Sequence, residues 1–167
     1  MLFSSVGFLF RFLPIFMIVY LAVPAKYRNY VLLVGSLVFY GVGEPYFVLL
    51  LMGSVLVNYG LSRYMFWEPK SPQKNRKLKA KKRRKRALIL ACVFDLGTLF
   101  VFKYWDFVAG NVNGITGNQL LPILSLALPL GISFYTFQML SYQFDCYWGI
   151  VSKQAGLVAY SNYICMF

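Results

Sequence analysis

Four side chains between positions 138 and 145 have the types and spacing for joint chemistry: Gln138, Ser141, Tyr142 and Asp145. Their i, i+3, i+4, i+7 pattern puts an amide, a hydroxyl, a phenol and a carboxyl on one stripe of a helix. Such a stripe could wall a polar tunnel or cavity, because polar groups at lipid depth are costly and mark substrate paths. It could equally join helices by hydrogen bonds, at about 0.6 kcal/mol each, and spacing alone favours that reading. Asp95 and Asn58 are two more polar residues inside apolar stretches. Asp95 is expected to be protonated or paired with another helix, and Asn58 to hydrogen-bond within a core. Lys103 follows Asp95 on the same predicted helix by about 12 Å at 1.5 Å per residue, so the two are not expected to touch.

What is missing narrows the chemistry. The 167 residues contain no histidine, so the commonest general base is unavailable. Cys92, Cys146 and Cys165 are widely spaced in apolar segments with no CxxC pair, which supports neither a zinc site nor a disulfide framework. No metal site and no bound cofactor are expected. Gly41-Val42-Gly43 is not completed as a dinucleotide loop, and no Walker loop or GxSxG elbow occurs.

The elements that must position these residues are apolar. Hydrophobic residues make up 59% and charged residues 13%, and the mean hydropathy is +0.61. A chain of this kind cannot cover itself with polar surface in water, so lipid is the expected solvent. No strand-like alternation is present. The expected fold is all-α, a polytopic transmembrane helix bundle forming one incomplete membrane domain of about five to six segments. The segments are 6–23, 30–43, 45–65, 87–105, 120–148 broken at Pro129, and 155–167, which stops short. Segment 30–43 is either a short span or a re-entrant piece. Cleavage of 6–23 as a signal peptide is disfavoured, because its only nearby basic residue, Arg11, lies inside the apolar stretch. The uncharged Gly- and Asn-rich stretch 107–119 reads as a loop. Tyr27, Tyr46, Trp67, Trp105 and Trp148 are candidate interfacial anchors.

Charge orients the bundle. The net charge is +12, and Lys70 to Arg86 holds eleven basic residues and no acid. Such a run can bind nucleic acid. Between two lipid-length segments it reads instead as a cytoplasmic loop, 66–86, lying on the anionic inner leaflet, with no nucleic-acid partner. With the N-terminus outside, Lys26, Arg28, Arg63, the basic loop and Lys153 all face the cytoplasm, leaving Arg11 and Lys103 near the other side.

The ordered motifs Tyr27-Arg28-Asn29, Gly35 to Tyr40 (GSLVFY), Asn58-Tyr59, Phe102-Lys103-Tyr104 and Leu128 to Tyr147 resemble the membrane-bound O-acyltransferase family. The opening MLFSSVGFLFRFLPIF is similar too, and the resemblance runs through the whole chain. It points to the bacterial branch that acts in alginate O-acetylation, and to the N-terminal part of the family's fold. The resemblance implies a many-helix bundle around a tunnel, with an acetyl group passing from a cytoplasmic acetyl-CoA-like thioester to a cell-surface or exported polysaccharide. It also implies periplasmic or other extracytoplasmic acetylation partner proteins and a multi-pass place in the cytoplasmic membrane. The family's histidine is expected downstream of Phe167, so no catalytic residue is assigned here. Asp95 stands where relatives commonly carry asparagine. The alternatives are a non-catalytic membrane scaffold or binding subunit, or a transporter or channel component.

Overall fold

The computed structural model describes residue 10 and residues 12–67, 73–116, 121–125, 128–129 and 131–166, with the main chain alone for 73–78. The described residues form helices and connecting segments, with no strand among them. The helices are α1 (Leu13–Ala22), α2 (Arg28–Gly43), α3 (Phe47–Phe66), α4 (Gln73–Lys103), α5 (Trp105–Thr116), α6 (Ile132–Trp148) and α7 (Leu157–Cys165). Arg11 and the residues before Phe10, Lys70 with the rest of 68–72, and Gln119 and Leu120 lie outside the described residues.

The helix limits follow local chemistry. Pro14 sits in the first turn of α1, where its missing N–H costs nothing. Gly43-Glu44-Pro45 ends α2 and sets the start of α3. α6 is bracketed by two glycines in the left-handed region, Gly131 at φ 72° and Gly149 at φ 81°, a conformation other L-residues resist. Beyond Gly149, the N–H groups of Gly149, Ile150 and Val151 converge on the Asp145 carbonyl oxygen at 3.0, 3.0 and 3.3 Å, which satisfies the helix end.

Two expectations are corrected. The basic stretch 66–86 is not a loop throughout, because α4 runs unbroken from Gln73 to Lys103. Lys, Arg, Ala and Leu are strong helix formers, and no Gly or Pro interrupts 73–96. Helix propagation from the apolar half therefore outweighs the i, i+4 repulsion between like charges. The stretch 107–119 is likewise helical as far as Thr116. Its polar side chains satisfy the backbone instead of breaking it: Asn111 Nδ2 donates to the Phe107 carbonyl at 2.7 Å and Thr116 Oγ1 to that of Val112 at 2.8 Å. Within segment 120–148, α6 begins at Ile132.

By length and composition one described helix, α3, is able to cross a membrane. The apolar part of α4 with α5 makes a second if counted together, although the pair bends by 60°.

The chain divides into two compact units, one comprising 1–59 with 153–167 and the other 60–152. In the first unit α2 packs against α1 and α7. The Phe12 ring stacks on Phe16 at 5.9 Å and meets Phe39 at 5.4 Å. Asn162 Nδ2 donates to the Asn29 carbonyl at 2.8 Å, and the Tyr59 and Tyr160 rings lie 5.9 Å apart. Gly35 touches the Phe16 ring so closely that any Cβ there would collide with it. Gly35→Val is therefore expected to lower the unfolding midpoint by an overpacking cost of about 1–3 kcal/mol. Phe16→Ala combined with it should restore part of that loss. A thermal melt of the detergent-solubilised chain checks this, and a Gly35→Val protein as stable as the parent would refute the close approach.

The second unit is organised by α4 and α6, which pack against one another. Lys103 Nζ donates to Ser133 Oγ at 3.5 Å at one end of the pair. Ala87 and Cys146 share a buried cluster with Met65 toward the other. The two helices are therefore antiparallel. Arg83 Nη2 donates to the Met65 carbonyl at 3.2 Å and its guanidinium lies over the Tyr64 ring at 5.8 Å. That contact satisfies an open carbonyl at the C-terminal end of α3.

Candidate functional site

The α4–α6 seam is built from a regular line of residues on each helix. On α4 the buried positions are Ala87, Ala91, Asp95 and Leu99, each one turn after the last. Small alanines let two backbones approach closely, the favoured way to join helices in lipid. On α6 the buried positions are Ile132, Tyr135, Thr136, Met139, Leu140, Gln143 and Cys146. Asp95 lies midway between the Lys103–Ser133 end and the Ala87–Cys146 end, so its level on α6 is near Met139 and Leu140. The seam thus carries a buried carboxyl on one helix and a phenol, a hydroxyl and an amide on the other.

The four-residue stripe is placed beside this seam. Ser141 is exposed, whereas Gln138, Tyr142 and Asp145 are half-buried. Tyr142 packs against the Met65–Ala87–Cys146 cluster. Gln138 Oε1 is buried and accepts no hydrogen bond among the described residues. Sequence reasoning missed Tyr135, Thr136 and Gln143. They alternate with Ile132, Met139 and Cys146 on the buried face, so no contrast in polarity marked it.

Asn58 is fully buried and its Nδ2 donates to the Ser54 carbonyl at 3.2 Å, one turn back. Lys103 meets Ser133 and not Asp95, and also lies over the Tyr104 ring at 5.5 Å. At the basic end, burial pushes the Arg83 guanidinium below the ordinary arginine range; Tyr64 acts to raise it and Arg84 lowers it further.

Beyond the Lys103 end, α5 and the segment 121–125 form a hydrogen-bonded pair. Trp105 Nε1 donates to the Pro122 carbonyl at 3.0 Å, and the Leu124 N–H donates to Asp106 Oδ1 at 2.8 Å. Asn113 binds Leu121 twice, donating from Nδ2 to its carbonyl at 2.8 Å and accepting its N–H at 3.0 Å. The bent α4–α5 corner and its strapped return segment present Phe107, Ile115 and Ile123 outward.

Hydrogen-bonding side chains thus line a helix seam that lacks a histidine base, an arrangement suited to holding and orienting. The whole chain aligns with the "Probable alginate O-acetylase" of Pseudomonas aeruginosa at 36% identity over 174 residues, covering 100% of this chain and 31% of that protein. The chain is similar over its whole length to several proteins of that name. The Azotobacter vinelandii protein of the same name is 34% identical over 170 residues, covering 100% of this chain and 32% of that one. A "Peptidoglycan O-acetyltransferase" of Helicobacter pylori is 32% identical over 152 residues, with 88% of this chain and 27% of that protein covered. The chain spans about a third of the length of the curated relatives it matches. No family model matches it, and no solved structure does.

Proposed function

We propose that this chain supplies the N-terminal helices of a membrane O-acetyltransferase that moves acetyl groups from a cytoplasmic, acetyl-CoA-like thioester to an exported polysaccharide. The observation that carries the reading is the similarity, over the whole chain and over 88% of it respectively, to relatives named for acetyl transfer to alginate and to peptidoglycan. In this reading α3, α4 with α5, and α6 are membrane elements of a polytopic bundle in the cytoplasmic membrane. The basic half of α4 stands at the cytoplasmic face, where each Lys or Arg gains about 1 kcal/mol from anionic lipid. The α5 corner lies at the opposite face, where periplasmic acetylation partners and the polysaccharide acceptor would be met.

The residues present divide the work. Asp95, Tyr135, Thr136 and Gln143 hold the α4–α6 pair in register. Gln138, whose carbonyl oxygen still has room for a donor, faces a tunnel together with Tyr142 and Asp145. No proton-transfer step is assigned to these residues, none of which is a histidine.

Deletion of the gene in its host tests the proposal. The exported polysaccharide should still be made but should lose its O-acetyl esters, read by proton NMR of the purified polymer, and the intact gene should restore them. Unchanged ester content in the deletion strain would refute it.

A further inference from the structure

We propose that the groove between the basic half of α4 and the C-terminal end of α6 binds the phosphate of an anionic lipid headgroup. This rests on the reading of α4 and α6 as membrane helices and goes beyond it, from general attraction to a defined site. The groove has a volume of about 430 Å³ and is lined by Ala80, Lys81, Arg84, Tyr147 and Trp148. Lys81 and Arg84 are three residues apart on α4, so they share a face. A Cβ placed on Gly149 would lie 3.9 Å from Arg84 Nη1, which sets the guanidinium beside the end of α6. Arg84 Nε is buried, yet it meets no acceptor among the described residues. Asp145, one turn before Gly149, therefore does not satisfy it.

A buried guanidinium N–H with no acceptor is costly unless a ligand supplies one. A planar guanidinium with an ammonium on the same face matches a phosphate, which offers several oxygens to both. Tyr147 lines the same groove. The rim argues for a lipid as the source of that phosphate. Trp148, which lines the groove, is 67% exposed, and its ring is held against Phe144 at 5.4 Å. An amphipathic ring of this kind suits the headgroup level, with acyl chains beside it. A soluble phosphate would gain nothing from that apolar rim. Basic pockets between helices at the cytoplasmic face are the expected place for anionic headgroups.

The test uses the full chain in mild detergent, offered phosphatidylglycerol or phosphatidylcholine, with retained lipid read by native mass spectrometry. One phosphatidylglycerol should be retained selectively. Arg84→Gln and Lys81→Gln should each weaken that retention by about tenfold, the value of one charge-assisted hydrogen bond. Lys85→Gln removes the same charge from an exposed position outside the groove and should change nothing. Lys81 is also exposed, so its variant reads the site without risk to folding. Equal losses in all three variants would overturn the site in favour of diffuse attraction. Displacement of the lipid by millimolar inorganic phosphate would overturn the lipid as its source. A chain that stays monodisperse without detergent would sink the membrane reading, whereas loss of lipid selectivity alone sinks only the site.

Discussion

Ala91→Phe is expected to keep α4 from docking on α6 and to leave little intact protein in the membrane, while Leu90→Phe accumulates normally. Ala91 has no exposed surface and sits in the centre of the buried α4 line. Leu90, its neighbour, is 55% exposed and points away from the seam. A phenyl ring at position 91 must push two packed helices apart, at an overpacking cost of about 3 kcal/mol or more. Interior packing this dense has no space to absorb it. The measurement is the amount and the thermal midpoint of the tagged chain by fluorescence-detected size exclusion in detergent. Normal accumulation of Ala91→Phe would show that the alanine seam is not a close contact.

Asp95→Leu is the second large effect. Asp95 is 2% exposed on the same line as Ala91. Leucine matches it roughly in volume and removes every polar interaction the carboxyl makes. The expected loss is about 1–3 kcal/mol, seen as a lower thermal midpoint in the same assay. Asp95→Asn keeps the shape and most of the hydrogen bonding, so it should retain near-parental stability. If asparagine proves as damaging as leucine, the negative charge itself is needed at this level. If leucine is tolerated, the carboxyl is not part of the fold's support.

The helical class could be read in the sequence because apolar runs of spanning length admit no strand reading, and the 43–45 break with Pro45 marked the end of α2 and the start of α3. The basic stretch was read as a cytoplasmic loop from its charge and its place between two apolar segments, and neither cue marks a helix. Helix formation depends on backbone and side-chain entropy, and lysine and arginine lose little in a helix. The Asn- and Gly-rich stretch after Phe107 misled for a related reason. Asn111 returns its amide to the Phe107 carbonyl, and Asn113 reaches the segment 121–125, a contact no local pattern announces. For the candidate site, Gln138, Ser141, Tyr142 and Asp145 are exposed or half-buried on α6, and of these Tyr142 packs on the Met65–Ala87–Cys146 cluster. The buried polar residues Tyr135, Thr136 and Gln143 alternate with apolar ones, and only packing against Ala87, Ala91 and Asp95 reveals which side is inside.

The two left-handed glycines that bound α6 also fix its length. Seventeen residues at 1.5 Å each give a rod of about 26 Å, against a hydrocarbon core of about 30 Å. Gly131 and Gly149 prevent the rod from growing at either end, and tilting would only shorten its reach. In the proposed membrane reading the surrounding lipid must yield instead, thinning at a modest cost per ångström of mismatch, which shortens the distance that a small group must travel from one side to the other.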